Sequence, residues 1–147
     1  MPETCADVVA LRPFDDDDYR HLPRLFALLE PQLDAATVIE RMTGMRAQGW
    51  QCLGAFSGND IVGMAGYSRR LHLFSGPVAY VENLVVLPDW RERGIGEGLM
   101  RWIEQWAREQ GCDLVTLDAY AVNLPARAFY ARLAYEPRGV HFVREIG

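Results

Sequence analysis

The order of hydrophobic and polar positions divides the chain into alternating strands and helices. Short apolar or alternating runs predict strands at residues 7–13, 50–56, 61–73, 78–87, 114–119 and 140–144. Helical spacing, with suitable start and stop residues, predicts helices at 15–29, 35–48, 91–110 and 125–133. Asn123 is the predicted N-cap of the last of these helices. Together these elements predict a mixed sheet of about six or seven strands flanked by about four helices, an α/β or α+β domain.

The helix expected at 91–110 has the clearest periodicity. Apolar residues recur on one of its faces at Ile95, Leu99, Trp102, Ile103 and Trp106. Gly111 is a natural residue to end it. Because this helix connects the strand at 78–87 to the strand at 114–119, we expect those two strands to be parallel.

Length and composition fit one domain of ordinary size. The chain has 147 residues, and 50% of them are hydrophobic, which is enough for a core of its own. It contains no linker, repeat or low-complexity tract, so we expect a single domain over residues 1–147. No apolar run reaches the roughly 18 residues of a membrane span, and the N-terminus lacks the pattern of a signal peptide. We therefore expect a cytoplasmic protein.

Charge and residue usage exclude several kinds of chemistry. The net charge of −5 disfavours nucleic acid as the main partner. All 15 basic residues are arginine, so no lysine can form a P-loop or a Schiff base. The cysteines and histidines lack the spacing of metal ligands, and we expect no metal. The acidic run Asp15–Asp18 is interpreted as the start of a helix, where carboxylates favour the positive end of the dipole.

Two glycines one residue apart, Gly94 and Gly96, stand where the third helix should begin. A glycine inside a helix costs about 0.5–1 kcal/mol relative to alanine, so two without a purpose are not expected. The pattern is not a dinucleotide-binding fingerprint, because Leu99 stands where a third glycine is needed. Unpaired N–H groups at a helix start can hold a phosphate, and glycines let it approach closely. We expect a diphosphate there, with Arg91 and Arg93 adding positive charge.

Two motifs resemble those of the GNAT N-acetyltransferases. The pattern Arg91-x-x-Gly94-x-Gly96 after "ENLVVLP" resembles the acetyl-coenzyme A loop of that family. The stretch "NLPARAFYARLAYEPRG" resembles its second signature, and the order of elements is similar over nearly the whole chain. Ala134 stands where the family often has glycine. The resemblance implies a GNAT-like domain that uses acetyl-CoA as a cosubstrate.

The resemblance also implies which residues contact the cosubstrate. Main-chain amides of the loop would hold the diphosphate of coenzyme A: Arg91, Glu92, Arg93, Gly94, Ile95, Gly96 and Glu97. The strand before the loop would present Leu84, Val85 and Val86, with the main chain of Leu84 and Val86 pairing with the pantetheine arm. Asn123 would contact the pantetheine as well.

Acetyl transfer to an amine needs a group that accepts the amine proton and a group that protonates the leaving thiolate. Glu82 is the candidate base, because a carboxylate within the apolar run "VAYVENLVVL" is costly to bury without a reason. It could instead pair with Arg69 or Arg70. Tyr130, which matches the family's acid, is the candidate acid, unless it is a core aromatic. Asp118 and a chain of waters remain alternative bases.

The sequence leaves the acceptor open among small amines, amino acids, antibiotics and protein termini. The net negative charge of the chain favours a cationic acceptor. The alternative function is a non-catalytic acyl-CoA-binding regulatory module. The family resemblance further implies homodimerisation through the C-terminal strands.

Overall fold

The computed structural model describes residues 8–147. Cys5 and the start of the first predicted strand lie outside the described residues. The strands are β1 (Ala10–Pro13), β2 (Gln51–Ser57), β3 (Asp60–His72), β4 (Gly76–Val86) and β5 (Leu114–Leu117). The α-helices are α1 (Leu22–Leu29), α2 (Ala35–Ala47), α3 (Ile95–Glu109) and α4 (Leu124–Arg132), and short 3-10 helices cover Asp16–His21 and Pro88–Trp90. The chain forms two compact units, which divide between Thr116 and Leu117.

The first unit is built on the sheet, whose strands follow one another in the order β1-β2-β3-β4-β5. The first four strands are antiparallel neighbours, and β3 and β4 form a long hairpin that pairs from Gly63 and Val86 to His72 and Gly76. Within residues 8–147 the sheet has five strands, so the expected six or seven is too many. The four α-helices of the same residues agree with the predicted number.

Helices cover both faces of the antiparallel strands. On one face, β2 and β3 contribute Cys52 and Met64 to a buried cluster that also contains Leu25 of α1 and Val38 of α2. On the other face, the ring of Tyr67 packs edge-on against two tryptophans of α3, with centroids 5.7 Å from Trp102 and 4.8 Å from Trp106. This division follows from strand geometry, because successive side chains of a strand point to opposite faces.

A β-bulge interrupts the pairing of β3 with β4. Met64 is opposite Val85, but Gly66 is opposite Glu82, so β4 has one more residue than β3 across this interval. Asn83 absorbs the difference with a φ of 65°. A bulge bends its strand and redirects neighbouring side chains, and here it lies beside Glu82.

Two of the predicted helices begin later than expected. In the helix predicted at 15–29, a 3-10 helix at Asp16–His21, capped by the side chain of Asp15, precedes α1. The helix expected from residue 91 begins at Ile95, because Gly94 has a φ of 80° and cannot continue a right-handed helix.

The second unit contains α4 and the C-terminal segment. Asn123 caps the helix as predicted, since its side-chain oxygen accepts the N–H of Ala126 at 3.2 Å. Ala134 follows the helix with a φ of 69°, a conformation in which glycine is favoured. The strand predicted at 140–144 is wrong: its apolar side chains alternate in sequence, but the described segment pairs with no strand.

Within residues 8–147, no helix is long and apolar enough to cross a membrane. The same part of the chain contains no group of three or more His, Cys, Asp or Glu side chains that could hold a metal ion.

Candidate active site

The connection from β4 to α3 exposes main-chain N–H groups at a helix start. Glu92 and Gly94 have φ values of 62° and 80°, and Gly94 is the N-cap of α3 without any side-chain cap. The first-turn N–H groups of a helix have no partner within the helix, and the dipole makes that end positive. The loop therefore offers hydrogen-bond donors and a favourable potential to an anion.

The side chains of Arg91 and Arg93 contact the loop and its surroundings in addition to adding positive charge. The Nε of Arg91 donates to the carbonyl oxygen of Val86 at 3.0 Å, which ties the loop back to the end of β4. The guanidinium of Arg93 lies over the ring of Trp90, 4.7 Å from its centroid. The sequence predicted the charge of the two arginines but not these contacts.

At the end of β4, the N–H and C=O groups of every second residue point away from β3. The N–H of Leu87 donates to the carbonyl oxygen of Val62 at 2.9 Å. In an antiparallel pair, successive residues direct their N–H and C=O groups to opposite sides. Leu84 and Val86 therefore direct theirs away from β3, and the buried side chain of Val85 joins the core.

A cleft of about 330 Å³ lies beside the start of α3. It is lined by Val9, Leu11, Arg93, Gly94, Ile95 and Gly98. A Cβ placed on Gly94 would meet no heavy atom within 4 Å. The space beside the N-cap Gly94 is therefore open, and any larger residue at this position would fill it with its side chain.

A second cleft, of about 260 Å³, lies in the first unit between the first two α-helices and the bulge of β4. We call it the acceptor cleft. Its apolar lining consists of Phe26, Leu33, Val38, Met42 and Met45. Its polar lining consists of Glu30, Gln32, Arg41, Glu82 and Asn83. A pocket that combines an apolar wall with a few polar groups is the usual form of a small-molecule site.

Glu82, the candidate base, lines this cleft. Its side chain is 30% exposed, and its Oε1 accepts from the guanidinium of Arg70 at 3.1 Å. The guanidinium of Arg70 also lies over the ring of Tyr80, 3.9 Å from the centroid. The pairing with Arg70, which the sequence offered as an alternative to catalysis, is present, and the carboxylate nevertheless borders the cleft.

Asn83 places a second polar group at the bulge. Its Oδ1 is buried and has no hydrogen-bond partner within the described structure. Buried polar atoms are nearly always paired, so such an atom is a point where a ligand or water is expected. Apart from its place next to Glu82, nothing in the sequence pattern pointed to Asn83.

Tyr130, the candidate acid, lies on α4 in the second unit. Its ring packs against Phe129 and Tyr135, with centroids 5.1 Å and 5.9 Å away. Burial raises the pKa of Tyr130 to about 12, because the phenolate loses its solvation. The phenol is therefore protonated at neutral pH. Asp118, the weaker candidate base, is 53% exposed and lies 3.9 Å from His141.

The acceptor cleft also contains residues that the sequence interpretation missed. Glu30, Gln32 and Arg41 line it, and none was predicted to have a functional role. A signal was available for Arg41, which stands on the stripe formed by Val38, Met42 and Met45 at the spacing of one helix face. A charged residue within an apolar stripe is a departure from the amphipathic pattern.

Comparisons with known proteins agree with these features. The family model described as "Acetyltransferase (GNAT) family" matches residues 13–135. An aminoglycoside N(6')-acetyltransferase type 1 of Acinetobacter genomosp. 13 is 29% identical over 97% of this chain and 92% of its own length. An aminoalkylphosphonate N-acetyltransferase of Salmonella typhimurium is 30% identical over 63% of this chain and 60% of its own length.

Solved structures show the same fold. The structure of AAC(6')-Iy in complex with the bisubstrate analogue CoA-S-monomethyl-acetylneamine has a TM-score of 0.80 at 23% identity, over 95% of this chain and 99% of that one. The aminoglycoside antibiotic 6'-N-acetyltransferase AAC(6')-Ih from Acinetobacter baumannii has a TM-score of 0.77 at 25% identity, over 95% and 100% of the two chains.

Proposed function

The chain belongs to the acetyltransferase (GNAT) family, and on that premise we propose which of its residues carry out the reaction. It is an acetyl-CoA-dependent N-acetyltransferase, which transfers an acetyl group to a primary amine. The proposal concerns the residues that hold the cosubstrate, the residues that move protons, and the acceptor.

We assign the diphosphate of coenzyme A to the start of α3. The main-chain N–H groups from Arg91 to Glu97 would bind it, with Gly94 and Gly96 leaving room for its oxygens. The φ of 80° at Gly94 and the open space beside it support this assignment. The residues present therefore fit a bulky anion bound by backbone donors.

We assign the pantetheine arm to the end of β4. The main-chain groups of Leu84 and Val86 point away from β3, as strand-like pairing with the arm requires. The N–H of Val86 is the group proposed for that pairing, because its carbonyl oxygen accepts from Arg91. Val85 contributes packing at this position, and Asn123 is the further candidate contact. Because the Oδ1 of Asn123 caps α4, its side-chain nitrogen is the donor that remains for the pantetheine.

We assign the proton transfers to Glu82 and Tyr130. Glu82 would accept the proton that the amine loses when its nitrogen attacks the thioester carbonyl, and the carbon–sulfur bond then breaks. Tyr130 would donate its phenolic proton to the departing thiolate. The pKa of about 12 keeps that proton on Tyr130 at neutral pH, so the acid is in the form that the step needs.

The observation that carries the proposal is the carboxylate of Glu82 at the wall of the acceptor cleft. A base must be within reach of the proton that it removes, and this cleft is the space beside it. The test is to measure thiol release from acetyl-CoA with a library of small primary amines. Amine-dependent release supports the proposal, whereas binding of coenzyme A without release by any amine would indicate the regulatory alternative.

We propose a small-molecule amine as the acceptor rather than a peptide amine. Two relatives are named for aminoglycoside and aminoalkylphosphonate acetylation, and neither name denotes a peptide amine. The volume of about 260 Å³ for the acceptor cleft supports an acceptor of limited size.

We further propose that the chain acts as one catalytic domain. The family match at 13–135 crosses the division between the two compact units, so both contain family sequence. Use of acetyl-CoA, an intracellular metabolite, supports a cytoplasmic location. Homodimerisation remains a proposal, supported by the exposed apolar side chains of the C-terminal segment, Val140, Phe142, Val143 and Ile146.

A further inference from the structure

We propose that Arg41 selects acceptors that carry an anionic group, so that the preferred acceptor is a small zwitterion: a primary amine with a carboxylate or phosphonate. This inference rests on the proposed function, because it concerns the acceptor of the same reaction. It adds an anion-binding end to the acceptor cleft, opposite in charge to the end formed by its carboxylates.

The position of Arg41 on α2 places its guanidinium at the cleft. Val38, Met42 and Met45 follow one face of the helix and line the cleft, and Arg41 belongs to the same face. A solvated arginine on a surface helix normally belongs to the polar face. The side chain of Arg41 is exposed, but it lies on the helix face that supplies the apolar lining, where a leucine or methionine would extend the wall.

Arg41 differs from the other charged residues of the cleft in its pairing. The carboxylate of Glu82 is paired with Arg70, and that of Glu30 accepts from the side chain of Gln32. Within residues 8–147, Arg41 has no carboxylate partner. Its guanidinium is therefore available to a carboxylate or phosphonate, both of which match its fork of donors.

The carboxylates of the cleft provide the complementary end. Glu30 and Glu82 both line it, and each attracts the ammonium form of an acceptor before the proton is lost. Glu82 is also the proposed base, so an ammonium attracted to it is placed for deprotonation. An acceptor with charges of both signs satisfies the two ends together, whereas a second amine would be repelled by Arg41.

Cleft size agrees with a short zwitterion. The volume is about 260 Å³, below the ~300–1,000 Å³ that is typical of pockets for drug-sized ligands. The apolar side chains of the lining suit a short hydrocarbon spacer in the acceptor. A polycation of several rings has neither the size nor the charge pattern that this lining favours.

The experiment compares acceptors that differ only in the anionic group. The wild-type chain is assayed by thiol release from acetyl-CoA with 3-aminopropanoate, 2-aminoethylphosphonate, n-propylamine and neamine. We expect kcat/KM for at least one of the two zwitterions to exceed that for propylamine by about 10-fold or more, the effect of one charge-assisted hydrogen-bonded contact. The carboxylate and phosphonate arms show which anion is used.

Variants assign the preference to Arg41. Arg41→Gln should lower the ratio of zwitterion to propylamine by about 10-fold, mainly through KM, because binding is lost in the ground state and the transition state alike. Arg41→Lys, which keeps the charge, should retain part of the ratio. Arg24→Gln, on α1 and outside the cleft lining, is the matched control and should leave the ratio at the wild-type value.

The possible outcomes separate this inference from the proposed function. The role of Arg41 is overturned if kcat/KM for propylamine or neamine equals that for the zwitterions, or if Arg41→Gln folds and leaves the ratio of zwitterion to propylamine unchanged. In either case the acetyltransferase assignment stands. If no amine releases thiol although coenzyme A binds, both fail. A preference lost in Arg41→Gln and partly kept in Arg41→Lys supports the inference.

Discussion

The carboxylate of Glu82 on β4 lies 3.1 Å from the guanidinium of Arg70, which belongs to the adjacent strand β3. The pair orients a carboxylate that also borders the acceptor cleft. Partial exposure of both side chains, 30% for Glu82 and 46% for Arg70, limits what the pair adds to stability, since such pairs contribute about 0–1 kcal/mol. A structural role and a catalytic role therefore predict different consequences of substitution.

Replacing Glu82 by glutamine should lower kcat by about 10²-fold or more, because the proton acceptor is removed. The free energy of unfolding, measured by urea denaturation, should change by no more than about 1 kcal/mol. Arg70→Gln is the matched control, since it breaks the same ion pair and leaves the carboxylate in place. Equal losses of turnover in the two variants would show that the pair matters and that Glu82 is not the base.

Replacing Tyr130 by phenylalanine should lower kcat by about 10–10³-fold and leave the affinity for coenzyme A nearly unchanged. The substitution removes the proton donor and keeps the ring that packs against Phe129 and Tyr135. Steady-state kinetics and calorimetry measure the two quantities. Phe129→Leu serves as a comparison for altered packing, and an unchanged turnover in Tyr130→Phe would remove Tyr130 from the mechanism.

The raised pKa of Tyr130 also predicts a dependence of stability on pH. Its pKa is about 12 in the folded chain and near 10 when unfolded, so its phenol favours folding fully below pH ~10. That contribution is lost as pH rises through about 12. The difference in unfolding free energy between the wild type and Tyr130→Phe should therefore decrease over this interval. The measurement covers roughly pH 9 to pH 12. If the difference in unfolding free energy between the two proteins stays constant over that range, Tyr130 is not desolvated.

Replacing Gly94 by valine should weaken coenzyme A binding by about 10-fold or more. The side chain would enter the open space beside the helix start, and its Cβ is strained at a φ of 80°. Gly111→Val is the matched control, because Gly111 follows the other end of α3 with a φ of 74° and equal open space. Both variants should lose similar stability. Calorimetry that finds the same affinity in both would place the diphosphate elsewhere.

Replacing Gly66 by alanine should destabilise the fold and disturb the bulge. A Cβ at Gly66 would overlap Nε1 of Trp50 and lie 2.8 Å from the carbonyl oxygen of Glu82. Overpacking of this kind costs about 1–3 kcal/mol. Gly63→Ala is the control, because its nearest contact, with the carbonyl oxygen of Val85, would be longer at 3.2 Å. Urea unfolding should separate the two, and equal midpoints would mean that Trp50 moves aside freely.

Local signals predicted the helical ends and the cosubstrate loop in part. Asn123 was predicted as a cap, and it caps α4 because the capping oxygen and its acceptor N–H are close in sequence. The pair of glycines marked the start of α3, but the helix begins at Ile95, four residues later than predicted. The φ of 80° at Gly94 prevents an earlier start, and the spacing of apolar residues carries no information about that φ.

Features that depend on neighbouring strands could not be predicted in this way. The bulge at Asn83 arises from the register between β3 and β4, and no residue type in β4 specifies it. The strand expected at 140–144 has the right alternation but pairs with no strand in the described structure. Arg41 lines the acceptor cleft only because the fold brings α2 and the bulge to the same cleft.

The central claim is that backbone donors at the start of α3 bind the diphosphate of coenzyme A. The most direct measurement is a crystal structure of the wild-type chain with coenzyme A bound. We expect the diphosphate within hydrogen-bonding distance of main-chain nitrogens between Arg91 and Glu97, with the pantetheine alongside Leu84 and Val86. Electron density for the diphosphate at another place, with this helix start contacting only solvent, would contradict the account.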